Sequence, residues 1–156
     1  MENSSCEALK LDNQLCFAIY STSLTLNKLY KPLLQQLGLT YPQYLIMLVL
    51  WEQDDITLSQ LSKRLGQDMG ALSPVIKRLE AQGLITRQRS EADDRKIHLR
   101  LTEEGQALQQ QAEAVPSHIL CASGLSVEQA LTLKQQLDEL RQTLQEVGVQ
   151  PLDAKT

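Results

Sequence analysis

The 156-residue sequence has little of what marks fibrous, disordered or membrane proteins. It contains seven Gly, five Pro, one Phe and one Trp, while 42% of its residues are hydrophobic and 22% are charged. This composition is typical of a globular domain and excludes collagen-like, low-complexity and disordered chains. No apolar run reaches the about 18 residues of a membrane span, and Met1 to Ser5 lack the basic, then apolar character of a signal peptide. We therefore expect a cytoplasmic protein without a membrane partner.

Cysteine and histidine are also scarce. The three cysteines are Cys6, Cys16 and Cys121, and the chain has two His. An odd, widely spaced set does not make a stapling framework in a reducing compartment, so any disulfide is expected to act as a switch. His118 and Cys121 form an H-x-x-C pair that Cys16 could complete as a metal site. Because there is no C-x-x-C motif and no dense carboxylate cluster, we expect neither a metal nor a cofactor.

Apolar residues recur at helical spacing in two long segments. The first stripe comprises Leu15, Ile19, Thr22, Leu26, Leu29 and Leu33, and the second comprises Ala130, Leu133, Leu137, Leu140, Leu144 and Val147. They predict an amphipathic helix over about residues 12–37, ended by Gly38, and a final helix capped by Ser126. Steps of three and four residues fit a seam against a partner helix, and they fit ordinary packing within one chain as well.

The segment after the first helix is almost entirely apolar. Thr40 followed by Pro42 has the pattern of an N-cap with a proline in the first turn. It opens a predicted helix through residues 44–51, where every side chain is apolar or aromatic. We expect this helix to be buried on every side.

Two shorter helices with a tight turn between them follow. Thr57 is the predicted N-cap of the first, which runs to a break at Gly66, and the second ends at Gly83. Two helices joined in this way outline a helix-turn-helix. Pro74 allows two interpretations: the second helix starts near Gly70 and leaves Pro74 in its first turn, or Ser73 caps it.

The next segment predicts a β-hairpin and a further helix. Residues 84–89 and 96–101 alternate in character around the polar turn at 90–95. Thr102 is then the N-cap of a helix reaching about residue 121, with a kink or break expected at Pro116. The predicted fold class is mainly α with a small β-wing.

The overall charge of −4 conceals an asymmetry along the chain. Residues 57–101 hold nine Lys or Arg against five Asp or Glu, a net charge of +4, which leaves −8 for the rest. A basic helix-turn-helix and hairpin on an acidic body favours DNA binding, because phosphate contacts supply most non-specific affinity. Charge alone leaves open that these side chains simply solvate the surface.

Several short motifs of the sequence resemble those of a known family. Residues 72–85, LSPVIKRLEAQGLI, together with DDR at 93–95 and LT at 101–102, are similar to the winged-helix repressors of the MarR family. The motifs NQLCF at 13–17, YKPLL at 30–34 and TYPQYL at 40–45 resemble its organic-hydroperoxide-sensing branch, the OhrR regulators. The likeness covers nearly the whole of residues 1–156.

The resemblance implies an architecture and a set of partners. It implies a winged helix-turn-helix at residues 57–101 and an intertwined helical homodimer built from residues 12–53 and 103–147. The two DNA-reading lobes of such a dimer imply a pseudopalindromic double-stranded operator with half-sites about 10 bp apart. It also implies a regulator rather than an enzyme, with repression expected and activation left open.

The resemblance also implies residues that contact DNA. The second helix of the motif enters the major groove in this family, and an arginine at the hairpin tip enters the minor groove. On this basis Arg95 is the wing arginine and Asp93 holds its guanidinium. The full set of candidate DNA-binding residues is Asp68, Gly70, Ser73, Lys77, Arg78, Arg87, Asp93, Arg95 and Lys96.

A thiol switch is the last implication of the resemblance. Cys16 and Tyr30 share a helix face but stand about 21 Å apart along one helix, so they cannot touch within a subunit. The family arrangement brings Tyr30 of the partner subunit to Cys16, with Tyr30 and Tyr41 donating hydrogen bonds to the thiolate and Tyr20 lying one turn from it. An organic hydroperoxide then oxidises Cys16 to a sulfenic acid, and Cys121 completes an intersubunit disulfide that releases the DNA.

Two rival functions remain to be weighed. A thiol peroxidase would use the same cysteine with turnover, but it leaves the basic segment unexplained. A MarR-type repressor released by a small aromatic or other organic ligand keeps the fold and dispenses with thiol chemistry. Insensitivity of DNA binding to peroxide, combined with sensitivity to a small aromatic acid, would favour the second.

Overall fold

The computed structural model describes residues 7–148 of the chain. The described part of the chain divides into two compact units, the first ending at Val115 and the second beginning at Pro116. The helices are α1 Leu15–Gln35, α2 Tyr41–Glu52, α3 Leu58–Leu65, α4 Met69–Ala81, α5 Glu103–Ala112, α6 Val115–Ser123 and α7 Val127–Val147. The strands are β1 Ile56–Thr57, β2 Ile85–Arg89 and β3 Ile97–Leu101. Within residues 7–148 no helix is both long and apolar enough to cross a membrane.

Hydroxyl side chains start four of the helices. Thr40, Thr57 and Ser126 each form a capping box. The hydroxyl of the cap residue accepts a hydrogen bond from the backbone N–H three residues on, and the side chain of the Gln at that position accepts one from the backbone N–H of the cap residue. Thr102 accepts a hydrogen bond from the N–H of Gly105 and caps α5. The four N-caps predicted from the sequence are confirmed.

Two helix boundaries differ from the prediction. The first helix begins at Leu15 rather than near residue 12, because a short 3-10 turn at Leu11–Asn13 precedes it, and it ends at Gln35. The predicted break near Pro116 is confirmed: α5 ends at Ala112, and α6 carries Pro116 in its first turn, where its missing N–H has no helical partner to lose. The segment ends at Ser123 rather than about residue 121.

The second helix of the helix-turn-helix, α4, starts early. It begins at Met69, so the interpretation with a start near Gly70 is correct, and Ser73 is not its cap. The Ser73 hydroxyl instead donates to the Met69 carbonyl at 2.9 Å. Pro74 is the sixth residue of α4, one turn later than predicted, and its missing N–H leaves the Gly70 carbonyl without its usual helical donor.

The sheet has three antiparallel strands in the order β1, β3, β2. The predicted hairpin is confirmed, with Ile85 opposite Leu101 and Arg89 opposite Ile97. The two-residue strand β1 was not predicted, since a pair such as Ile56 and Thr57 is too short to show an alternating pattern.

The core of the first unit lies between α2, α3, α4 and the sheet. Its fully buried side chains are Leu34, Ile46, Met47, Leu50, Leu61, Leu72, Ile76, Leu79, Ile85 and Leu99. One prediction is wrong here, because α2 is not buried on every side: Leu48 is 39% exposed. The helix packs its Ile46, Met47 and Leu50 face inward, and the sequence cannot show this because the opposite face is also apolar.

Candidate DNA interface and thiol site

Helix α4 presents most of the predicted DNA-contacting residues on one side. Its core face consists of Leu72, Ile76 and Leu79, all buried. Lys77, Arg78, Asp68 and Gly70 are exposed, and Ser73 is half-buried. Asp68 occupies the N-cap position, but its carboxylate makes no capping hydrogen bond. A helix with this division can hold its core face against the unit while offering its other side to a groove of DNA.

The turn of the hairpin fixes the second predicted contact. The N–H of Lys96 donates to the Asp93 carbonyl at 2.9 Å, and the N–H of Arg95 donates to Asp93 Oδ1 at 3.1 Å. Arg95 Nε lies 3.5 Å from the same oxygen, while the Arg95 side chain is 94% exposed. Arg95 thus stands at the hairpin tip with one carboxylate partner beside its own backbone, and Lys96 next to it is exposed.

Arg87 is in a different environment from the other predicted cations. Its Nε donates to Glu80 Oε2 at 2.9 Å, and both side chains are about one third exposed. This ion pair ties β2 to α4. The structure therefore shows Arg87 engaged in positioning the hairpin against the helix.

An ionic cluster at the base of the hairpin was missed by the sequence reasoning. Asp55 contacts His98 Nδ1 at 3.0 Å and Arg100 at 2.9 Å, and its backbone has a φ of +56°. The hydrogen bond from Arg100, followed by that from His98, lowers the pKa of the Asp55 carboxyl. Asp54 accepts a bond from the N–H of Leu101 at 2.9 Å. Opposite charges more than 40 residues apart give no local signal, and only the pairing of β1 with β3 brings them together.

The predicted thiolate-stabilising tyrosines fall into two groups. The rings of Tyr30 and Tyr41 lie 4.8 Å apart, and Tyr44, which was not predicted, completes the cluster at 6.0 and 6.3 Å from them. Burial and the neighbouring tyrosines raise the pKa of Tyr30 to about 12, so its hydroxyl stays protonated and able to donate. Tyr20 lies outside this cluster and is 63% exposed.

The two cysteines of the predicted switch are both free, exposed thiols. Cys16 lies in the first turn of α1, and the same uninterrupted helix carries Tyr30, which places the two residues about 21 Å apart along its axis. Cys121 lies in α6 of the second unit. Cys6 lies outside the described residues.

The helix seams that flank these cysteines are uncovered in the single chain. On α1, Leu15 is 64% exposed and Leu26 is 38% exposed. On α7, Leu144 is 63% exposed and Val147 is 65% exposed. Isolated apolar side chains at a surface are ordinary, but two helical stripes of them are typical of a surface that another chain covers.

A helix-turn-helix followed by a basic two-stranded wing defines the protein as a winged-helix transcriptional regulator. The profile of the family described as "Transcriptional regulator SarA/Rot" matches residues 28–112. The organic hydroperoxide resistance transcriptional regulator of Bacillus subtilis (strain 168) is 46% identical over 144 residues, which cover 92% of this chain and 97% of that protein. The chain belongs to the MarR family of winged-helix regulators, in the branch of the organic hydroperoxide regulators.

Solved structures of one similar protein, AbfR of Staphylococcus epidermidis, extend the comparison. Reduced AbfR bound to DNA has a TM-score of 0.72 at 38% identity, covering 90% of this chain and 97% of that one. The disulfide form of AbfR has a TM-score of 0.58 at 37% identity, covering 94% and 98%. The structure of this chain is thus more similar to the DNA-bound form than to the disulfide form.

Proposed function

We propose that this chain is a homodimeric repressor that releases its operator when an organic hydroperoxide oxidises Cys16. The observation that carries the proposal is the exposed, free thiol of Cys16 beside the uncovered seam of α1. At such a position, formation of a dimer and oxidation of the thiol act on the same surface. The 46% identity to a regulator of organic hydroperoxide resistance supports this choice of oxidant.

The dimer is proposed to form through residues 12–53 and 103–147. The exposed apolar stripes of α1 and α7 lie in these segments. Burying apolar surface in a dimer contributes a stabilising free energy of about 25 cal/mol per Å². The winged helix at residues 57–101 then projects once from each subunit. Two copies related by a twofold axis read a pseudopalindromic operator.

Each lobe is proposed to contact DNA at two places. Helix α4 enters the major groove with Asp68, Gly70 and Ser73 near the bases, and Lys77 and Arg78 supply positive charge further along. The wing carries Arg95 into the minor groove, where the negative potential favours a guanidinium. Lys96 lies beside Arg95 at the wing tip, and Arg87 contributes by holding the hairpin through Glu80.

The thiolate of Cys16 is proposed to be stabilised across the dimer. Since about 21 Å of helix separates Cys16 from the Tyr30 of its own subunit, the donor is Tyr30 of the partner subunit, with Tyr41 beside it. A phenol with a pKa of about 12 remains a hydrogen-bond donor at neutral pH. Hydrogen bonds to the charged form of a group favour that form, and the thiolate is the form that attacks a peroxide. Tyr20, one turn from Cys16, is a further candidate donor.

The chemistry proceeds in two balanced steps. The Cys16 thiolate attacks the terminal oxygen of ROOH, the O–O bond breaks, and the products are Cys16–SOH and the alcohol ROH after protonation. The thiol of the partner subunit's Cys121 then attacks the sulfenic sulfur, a disulfide forms and water leaves. The peroxide is the oxidant in the first step, and the two thiols together supply the two electrons.

Release of DNA follows from the geometry that a disulfide demands. The bond holds two Cα atoms within about 7 Å and fixes α1 of one subunit to α6 of the other. AbfR offers a parallel for such a change of structure. Its reduced, DNA-bound form and its disulfide form match this chain with different TM-scores, 0.72 and 0.58. Interconversion of two such arrangements moves the two lobes relative to the operator half-sites.

The test measures DNA release rather than oxidation alone. A duplex selected from a randomised pool by the reduced protein is labelled, and its anisotropy is followed as cumene hydroperoxide is added. We expect the wild-type protein to release the duplex at about one equivalent of peroxide and Cys16→Ser to retain it. Retention by the wild type at full oxidation would contradict the proposed switch.

A cavity on the first unit favours a second candidate function. A groove of about 440 Å³ lies between α2 and α3, with Val49 and Ile56 as apolar lining and Lys63 as a cation, while Arg64, which also lines it, is paired with Glu52 at 2.9 Å. Such a groove suits a small organic acid, which would make the chain a repressor released by a ligand without thiol chemistry. Release of the selected duplex from Cys16→Ser by a small aromatic carboxylate would favour this alternative.

A further inference from the structure

Met69 is an exposed apolar side chain in an otherwise polar surface. It is the first residue of α4 and is 50% exposed. Between residues 49 and 124, all of which the structure describes, no other large hydrophobic side chain is exposed. The remaining exposed apolar side chains fall on the N-terminal segment, α1 and α7, at Leu48 and at Leu125. Met69 therefore belongs to neither helix seam, and it stands at the end of α4 proposed to meet the bases.

The start of α4 has no side chain free to donate a hydrogen bond to a base edge. Asp68 offers an uncapped carboxylate, which only accepts. Met69, Gly70 and Ala71 carry no donor. The first hydroxyl along the helix, that of Ser73, donates to the Met69 carbonyl at 2.9 Å. The paired donor contact by which Arg or Lys reads guanine O6 and N7 is thus not available to these residues.

We propose that Met69 determines operator specificity by packing against the C5-methyl group of a thymine in the major groove. The proposal rests on the function proposed above, in which α4 enters that groove. Among the bases, thymine presents a methyl group in the major groove, and apolar side chains make favourable contacts with that methyl group. Gly70 leaves open space beside Met69, since a Cβ built there meets nothing within 4 Å, so the helix can approach the bases closely. The flexible thioether of Met69 adapts to the shape of the contact.

The experiment removes the methyl group alone. A duplex is selected from a randomised pool with reduced full-length protein, and each of its thymines is replaced in turn by deoxyuridine, which keeps base pairing. For the wild type we expect one position in each half-site at which the replacement weakens binding about fourfold, and about fifteenfold when both half-sites are replaced. Met69→Ser should bind the thymine and deoxyuridine duplexes equally.

Lys77→Ala serves as the matched control on the same helix. Loss of a phosphate contact should weaken binding to both duplexes by the same factor and leave the thymine preference intact. A wild type that binds its selected duplex but ignores deoxyuridine at every position would overturn the role of Met69 and leave the DNA-binding function standing. The same conclusion follows if Met69→Ser keeps the full thymine preference. Failure of the wild type to enrich any sequence would overturn the proposed DNA reading by α4, and the role of Met69 with it.

Discussion

Asp93 holds Arg95 at the tip of the wing through its Oδ1, which accepts the Arg95 backbone N–H at 3.1 Å and lies 3.5 Å from Arg95 Nε. The acceptance of the backbone N–H shapes the turn, while the contact with Nε restrains a side chain that is otherwise 94% exposed. Restraining a long cation before it binds reduces the entropy lost when it enters a groove. In the proposed complex with DNA, this relationship gives the acidic Asp93 a favourable role in binding a polyanion.

Substitution at these two positions should separate charge from orientation. Arg95→Ala removes the two minor-groove contacts proposed for the dimer, and we expect DNA affinity to fall about tenfold or more, with the salt dependence reduced by about two phosphate equivalents. Asp93→Ala should also weaken binding, although it removes negative charge. Anisotropy titrations at several salt concentrations measure both effects. Tighter binding by Asp93→Ala would show that charge, and not orientation, dominates at this residue.

Removing the Tyr30 hydroxyl should slow the oxidation of Cys16. A hydrogen bond to a charged group is worth about 1.5–3 kcal/mol, so Tyr30→Phe is expected to reduce the rate of reaction with cumene hydroperoxide by about tenfold or more. The raised pKa of Tyr30, about 12, means that its hydroxyl stays protonated and able to donate throughout the neutral range, where the rates are compared. Stopped-flow detection of the sulfenic acid provides the rate.

Tyr44→Phe is the control for the tyrosine cluster. Tyr44 packs against Tyr30 and Tyr41 with ring centroids 6.0 and 6.3 Å away, so the variant perturbs the same cluster while keeping both proposed donors. We expect its oxidation rate to match the wild type. Equal losses in Tyr30→Phe and Tyr44→Phe would assign the effect to packing instead of donation to the thiolate.

The ionic cluster of Asp55, His98 and Arg100 at the base of the hairpin should make the free energy of unfolding depend on pH. The Arg100 and His98 contacts lower the pKa of Asp55 below its ordinary 3.8, so the unfolded state binds the proton more readily than the folded state. The stabilisation is complete above that ordinary value and is lost as the pH falls through the lowered pKa. Thermal unfolding at a series of pH values should give Asp55→Asn a lower Tm than wild type near neutrality and no difference in strong acid. A difference that grows in acid would contradict this assignment.

Two glycines offer a matched pair of stability predictions. A Cβ at Gly105 would lie 2.0 Å from the backbone oxygen of Leu84, and no side-chain movement relieves that contact. Gly105→Ala should destabilise the protein by about 3 kcal/mol or more. At Gly70 a Cβ meets nothing within 4 Å, and Gly70→Ala should stabilise α4 by about 0.5–1 kcal/mol. Urea unfolding of both variants measures the difference, and comparable stabilities would contradict the close approach at Gly105.

The helices and the hairpin were predictable because their signals are local. The N-caps bond to the backbone within three residues of themselves, and they are Thr40, Thr57, Thr102 and Ser126. The hairpin is indicated by alternating apolar and polar residues on both sides of one polar turn. The position of Pro74 was harder to predict, since a proline limits where a helix runs without fixing where it starts. For Leu48 the sequence offered no contrast, because the exposed and buried faces of α2 are both apolar.

The candidate site was predictable where the chain resembles known regulators and not where it depends on register. The resemblance supplied Cys16, Tyr30, Tyr41 and Arg95, and the structure brings Tyr30 and Tyr41 together. The partners of Asp55 emerge only when β1 pairs with β3. Tyr44 joins the tyrosine cluster by packing across α1 and α2, a contact for which no spacing rule exists.

The most direct test of the account is a non-reducing denaturing gel after treatment with one equivalent of an organic hydroperoxide. Wild type and Cys6→Ser should both give a dimer band that a dithiol reverses, and Cys16→Ser and Cys121→Ser should both lack it. The account is contradicted if the wild type stays monomeric on the gel under these conditions while its Cys16 thiol still reacts with a thiol reagent.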